Sequence, residues 1–396
     1  MALLGWEAGL LFLAAAAIIT FYSYTIFSRI LDHYAINGRR LLCFRDMAHH
    51  ILGANWNHYF VGPLQILICF AEVVAGTLLA GQSMKAIYMM ENPDGTAELY
   101  LFIIISGVFM LILSQMPSYH SLRHLNFISL LLSLAYSACA TAGSIHIGSS
   151  SSIAHGRDYS ILGDTKNRIF GAFSAISVTA SAYGNCVIPE IQATVAAPVK
   201  GKMFKGLCLC YTIIIITYFS VSISGYWAFG NRAHGIIFSN FILDNGRAMP
   251  KWFLVMSNFF LILQTFAVTV AFLQPTNQLL EKIFADARKK QYSSRNVIPR
   301  VIGRSVVAII ATFIAAMLPF FRDIIGLIGA FGFLPLVFVM PIVMHVITFK
   351  PTRRGFAFCI SMSIIVIFLA ATLMGCIAAV REIVRDANTY MLFANV

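Results

Sequence analysis

Apolar residues gather in ten long runs, at about 6–30, 58–84, 99–115, 124–147, 169–195, 205–229, 251–279, 298–318, 323–348 and 355–380. A helix that crosses the hydrocarbon core of a bilayer needs about 20 mostly apolar residues. Each run therefore predicts one membrane-spanning helix. The connections are short except near 31–57, 148–168 and 281–297. The pattern predicts an all-α, polytopic membrane bundle, a single transmembrane domain over 1–396 with no soluble domain. Within the first long connection, Arg39 to Leu52 mixes basic and apolar residues and reads as a short amphipathic helix on the inner surface.

Polar residues inside the runs are not scattered. Ser174, Ser177 and Ser181 recur at helical spacing and share one face. Asn258, Thr265, Thr269 and Thr276 fall in one narrow sector of the seventh run. Gln65, Cys69, Glu72, Gly76 and Ser83 share a face of the second. Such stripes either hydrogen-bond neighbouring helices or line a cavity that holds a ligand. Glu72 is the one carboxylate well inside a continuous run. A charge there costs roughly 3 kcal/mol even on the lenient insertion scale, so Glu72 should face the bundle interior. It reads as a proton-coupling group or as a neutral, hydrogen-bonded structural carboxyl.

The fifth run carries its own interruption, Tyr183-Gly184-Asn185-Cys186-Val187-Ile188-Pro189-Glu190. Pro189 lacks an N–H, so the Asn185 carbonyl loses its helical partner, and the ring clashes with that carbonyl. Gly184 lowers the cost of leaving helical geometry. A helix break over 183–186 is expected. At mid-membrane, non-helical backbone survives only where it is buried in protein or lines a wet cavity. The two helix ends at such a break suit an ammonium and a carboxylate, although a Pro kink without a ligand would look the same. Glu190 falls in the first turn of the second half-helix, as a helix-start carboxylate or a second proton-coupling group. In the ninth run Gly326, Gly329, Gly332, Pro335 and Pro341 predict close helix packing or a flexing gate.

Composition agrees with the pattern. Hydrophobic residues make up 59% and charged residues 11%, against about a quarter charged in soluble domains. The net charge of +12 points to helix orientation rather than to nucleic acid. The loop after the first helix and every second loop thereafter, together with the helix ends that flank them, carry 18 of the 28 Lys and Arg. The positive-inside rule places those loops, including 31–57 and 281–297, in the cytoplasm. Both termini then face outside. Seven of the eight Cys lie in apolar runs, and neither a CxxC nor a zinc-ligand spacing occurs. No metal site or cofactor is expected. No nucleophile elbow, P-loop or paired-carboxylate motif argues for an enzyme.

Five motifs then carry a resemblance: Phe44-Arg45-Asp46-Met47-Ala48-His49, Leu122-Arg123-His124-Leu125-Asn126, Ile188-Pro189-Glu190-Ile191-Gln192-Ala193-Thr194-Val195, Gly225-Tyr226-Trp227-Ala228-Phe229-Gly230-Asn231, and Ile328-Gly329-Ala330-Phe331-Gly332-Phe333. In this order the chain resembles the amino acid/auxin permease family along nearly its whole length. Within that family it is most similar to the plant GABA and proline transporter branch. The resemblance implies a five-plus-five inverted repeat with a trailing helix, and proton-driven amino acid import across the cell membrane. Its implied partners are a small amino acid substrate and the bilayer.

The fifth run resembles the family's broken sixth helix, which implies substrate contacts at Ser177, Ser181, Tyr183, Gly184 and Asn185. The seventh run resembles the eighth helix, which adds Asn258 and Thr265. The chain starts, at Leu4-Gly5-Trp6, where the family's second helix starts. The expectation that follows is a half-site that transports poorly until a first helix is restored. A non-transporting regulatory or sensor relative is the rival reading.

Overall fold

The computed structural model describes residues 1–116, 123–150, 157–161, 163–195, 201–233, 235–243, 246–247, 249–284, 293–318, 320–352, 355–386 and 393. Leu122 of the second motif lies outside these residues, as does the Arg288-Lys289-Lys290 run of the basic loop. The helices are α1 (Gly5–Ile36), α2 (Phe44–Leu52), α3 (Gly62–Glu91), α4 (Leu99–Leu113), α5 (Arg123–Gly148), α6 (Thr165–Tyr183), α7 (Ile188–Ala193), α8 (Lys202–Phe229), α9 (Lys251–Phe284), α10 (Ser294–Met317), α11 (Phe321–Ile328), α12 (Met340–Phe349) and α13 (Phe356–Asp386). A π-turn at Asn57–Val61 leads into α3, and a π-helical segment, Gly329–Val339, joins α11 to α12. The described strands are two residues each, Ile242–Leu243 against Gly246–Arg247. Among the described residues, eight helical stretches are long and apolar enough to cross a membrane. The apolar α4 is shorter, and α6 and α7 divide one run between them.

The chain packs as two units. The first comprises Met1–Ile68, Ala154–Ala233 and Arg322–Ala387. Here α13 and α6 pack on the π-helical segment, and α1 packs on α8 and α12. Lipid tails are as apolar as leucine, so helices in a bilayer associate through close van der Waals fit, which small residues permit. Gly332 illustrates this: a Cβ there would run into Ile68. Of the glycines of the ninth run, Gly329 and Gly332 thus serve close packing. The π geometry is matched to Pro335 at its centre, where an α-helical N–H would be missing in any case.

The second unit comprises Cys69–Ile153, His234–Phe321 and Asn388–Val396. In it α5 packs along α9, and α4 along α10. Gly76 of α3 lies against Thr269 of α9, whose hydroxyl donates to its own helix at Thr265 O, 2.7 Å away. The polar stripe of α9 is buried, with Asn258, Thr265, Thr269 and Thr276 all inside the protein. Part of this stripe therefore serves helix packing.

Candidate functional site

The helix break is present in the first unit. The last helical residue of α6 is Tyr183, and α7 starts at Ile188 with Pro189 in its first turn. Residues 184–187 are non-helical, so the break begins and ends one residue later than the expected 183–186, with Tyr183 still closing α6. Gly184 has φ −71° and ψ 131°, extended geometry open to any residue. Glycine is needed there for a different reason from the one expected. A Cβ would lie 2.6 Å from the Ala180 carbonyl and would also collide with Phe333 of the π-helical segment.

Side chains from three other helices satisfy the opened backbone. The Tyr24 hydroxyl of α1 donates to the Tyr183 carbonyl at 2.9 Å and accepts from the Asn185 N–H at 2.5 Å. It therefore ties both sides of the break together. The Tyr218 hydroxyl of α8 donates to Ala182 O at 2.7 Å. From α3, Gln65 Nε2 donates to Cys186 O at 3.0 Å. Asn185 uses its own Oδ1 to accept from Val187 N at 3.0 Å. Each backbone polar group left unpaired in hydrocarbon costs several kcal/mol, so these contacts make the break affordable at this depth. Tyr24→Phe removes the partner of two backbone groups at once, worth about 1–3 kcal/mol apiece. The purified variant is expected to unfold at lower temperature than the wild type with unchanged helix content. Identical melting curves would show that the hydroxyl is dispensable.

The other expected residues of this unit sit around the break in different ways. Ser181 donates to the Ile325 carbonyl of α11 at 2.8 Å. Ser177 is fully buried, and its hydroxyl donates back to Phe173 O at 3.0 Å. The ring of Tyr183 packs edge-on against Tyr218, and its buried hydroxyl has no hydrogen-bond partner among the described residues. Glu190 is buried too. Its Oε1 accepts from Gln65 Nε2 at 2.9 Å and from the backbone N–H of Phe44 at 3.2 Å, the latter at the start of α2. So α2 is the expected short helix, and it is tied to α7, the second half of the broken helix. α7 is held further by Arg40, which donates to Ala193 O at 2.9 Å, and through Gln192, which donates to Asp32 of α1 at 3.2 Å.

In the second unit Asn258 donates to Leu254 O at 2.9 Å. It lines a cavity of about 310 Å³ with Gln82, Ser83, Met90, Phe238 and Ser239. Thr265 is buried two turns further along α9. Glu72 of α3 is half-buried, and its Oε1 is enclosed without a hydrogen-bond partner among the described residues. Among the described residues, no cluster of His, Cys, Asp and Glu could hold a metal ion.

A model of the family described as transmembrane amino acid transporter proteins matches residues 1–383. The chain belongs to that family. This amino acid transporter is 51% identical over 395 residues to GABA transporter 1 of Arabidopsis thaliana, covering 99% of this chain and 87% of that protein. It is 26% identical over 403 residues to Lysine histidine transporter-like 1 of the same plant, covering 100% and 85%. Among solved structures it is similar to MhsT in complex with L-phenylalanine, with a TM-score of 0.54 and 13% identity over 95% of this chain and 92% of that one. That likeness carries the fold alone. The protein is a multi-pass membrane transporter of the amino acid/auxin permease family and not an enzyme.

Tyr24 and Gln65 are the two break-supporting residues with the least local signal. Gln65 at least belonged to a visible polar stripe. A buried amide in an apolar run must find a partner. Nothing near Tyr24 in the sequence reveals that it meets residues about 160 positions away.

Proposed function

We propose that the protein imports GABA-class amino acids across the cell membrane by proton symport, as one transport domain. The observation that carries the substrate class is its 51% identity to a plant GABA transporter, roughly twice its identity to the lysine histidine transporter-like proteins. Ser181, Tyr183, Gly184 and Asn185 at the break, with Ser177 one turn before, are the proposed substrate contacts. Asn258 and Thr265 are proposed from the second unit. The carbonyls that end α6 form the negative end of a helix dipole and suit the ammonium of the substrate. Glu190 and Glu72 are the proposed proton-coupling carboxyls. Glu190 is buried and one carboxyl oxygen of Glu72 is enclosed, in an apolar chain, the setting in which proton relays are found in transporters. The proton gradient is the driving force, and no cofactor enters the scheme.

The test is uptake of labelled GABA by cells expressing the chain, normalised to surface protein, with unlabelled proline, lysine and histidine as competitors. Saturable GABA uptake is expected, falling several-fold when a protonophore collapses the gradient. Uptake indifferent to the protonophore would remove proton coupling. Stronger competition by lysine or histidine than by GABA itself would remove the substrate class. Surface protein that moves none of these amino acids would favour the non-transporting relative.

A further inference from the structure

We propose that Gln65 is a positioning residue that transmits the protonation of Glu190 to the helix break. The proposal rests on the reading of Glu190 as a proton-coupling group and adds how the proton is felt by the site.

The geometry is a three-member chain. The Gln65 carboxamide nitrogen carries two hydrogens. It donates to Cys186 O in the break at 3.0 Å and to Glu190 Oε1 at 2.9 Å. Gln65 and Glu190 are both buried. One atom of each is left over: Gln65 Oε1 and Glu190 Oε2 are enclosed without hydrogen-bond partners among the described residues. One is an acceptor with nothing to accept. The other is the oxygen on which a proton can sit.

An ionised carboxylate only accepts hydrogen bonds. It therefore holds the NH2 end of Gln65 toward itself, and the second N–H of that group stays on Cys186 O. When Glu190 takes up a proton, one O–H bond forms and that oxygen becomes a donor. The unused acceptor in this pair is Gln65 Oε1. A half-turn of the carboxamide, together with a turn of the carboxyl group that brings its protonated oxygen to the Gln65 side, presents Gln65 Oε1 to the new O–H and carries the NH2 group away from Cys186. The break then loses the side chain that pinned its carbonyl. The remaining ties at Tyr24 and Asn185 hold the neighbouring groups.

The charged and titratable surroundings of Glu190 come from the elements packed on α7. From the α2 side these are Arg45 and Cys43, with Asp46 beside Cys43. From α1, Asp32 reaches α7 through Gln192 rather than through Glu190. Arg40 meets α7 at the Ala193 carbonyl. Gln65 is the group from α3.

The test reads the break directly and does not require transport. Hydrogen exchange of the amides at 185–188 is followed in purified protein in mildly alkaline and mildly acidic medium, after correction for the intrinsic effect of pH. The wild type is expected to lose protection several-fold on acidification. Glu190→Gln should give low protection in both media. Gln65→Met, which keeps Glu190 but cannot bridge, should also lose the pH step. Gln65→Asn, too short to reach both partners, serves if the Met variant does not fold. A full wild-type pH step in either Gln65 variant overturns the proposal, and so does the lack of a step in the wild type. Failure of labelled GABA uptake alone would count against the transport reading and leave this result standing.

Discussion

Replacing Arg304 by alanine is expected to remove most of the protein from the membrane. Arg304 is only 2% exposed, on α10 in the second unit. Its Nη1 donates to the carbonyls of Ser114, Gln115 and Met116 at 3.3, 2.9 and 2.8 Å. These follow the end of α4, where the last carbonyls of a helix have no partner of their own and carry the negative end of its dipole. Nη2 pairs with Glu281 of α9, which also meets Arg300 at 3.3 Å. One guanidinium therefore joins α4, α9 and α10. Glu281 keeps Arg300 and the Met116 carbonyl keeps Gln274, but the Ser114 and Gln115 carbonyls lose this buried donor, at about 1–3 kcal/mol for each acceptor left unsatisfied. Together with the lost tie between three helices this is a large part of the whole stability of many domains, about 5–15 kcal/mol. Arg304→Lys keeps the charge but cannot span both sets of acceptors from one nitrogen, so it should fall between the wild type and alanine. Surface abundance and thermal unfolding of the purified variants check this. Wild-type values for Arg304→Ala would reduce the residue to an orientation charge.

That residue marks the boundary of what sequence reasoning reaches. In a linear reading Arg304 belongs to a basic loop and orients helices, because no local pattern announces carbonyls 190 positions away. The apolar runs were legible because a bilayer forces every spanning segment to satisfy its backbone internally, which leaves a long one-dimensional signature. The break was legible because Pro189 acts on its own helix. Gly184 was identified at the correct place for an incomplete reason. Its backbone is ordinary, and the absence of a Cβ is required by Phe333, which is distant in sequence. Glu190 was visible as an acid near a helix start. Its burial under α2 and its shared Gln65 partner depend on tertiary contacts. The residue-level chemistry was readable wherever cause and effect lay within about one helical turn, and was hidden wherever the partner came from another helix.

Gly329 provides the sharpest test of how the broken helix is held. A Cβ at this position would overlap the backbone carbonyl of Ser177, one to two turns before the break. A backbone oxygen cannot rotate away, so α6 must move off the π-helical segment. Forcing extra atoms into a packed seam typically costs about 1–3 kcal/mol, occasionally more. Gly329→Val is therefore expected to sharply reduce both folded protein and any uptake. One turn earlier, Gly326 has nothing closer to a built Cβ than Val178 at 4.0 Å, and Gly326→Ala should be silent. On the other side of the same seam, a Cβ on Gly375 of α13 would sit 2.6 Å from the Ser177 hydroxyl oxygen and 3.2 Å from Ala330 Cβ. This second clash is with a removable atom. Ser177→Ala should therefore partly restore Gly375→Ala and leave Gly329→Ala unrescued. Melting temperatures of the three single variants Ser177→Ala, Gly375→Ala and Gly329→Ala and of the two double variants decide the matter. Equal rescue of both glycine variants would mean that the Ser177 side chain, and not the α6 backbone, sets the spacing at the break.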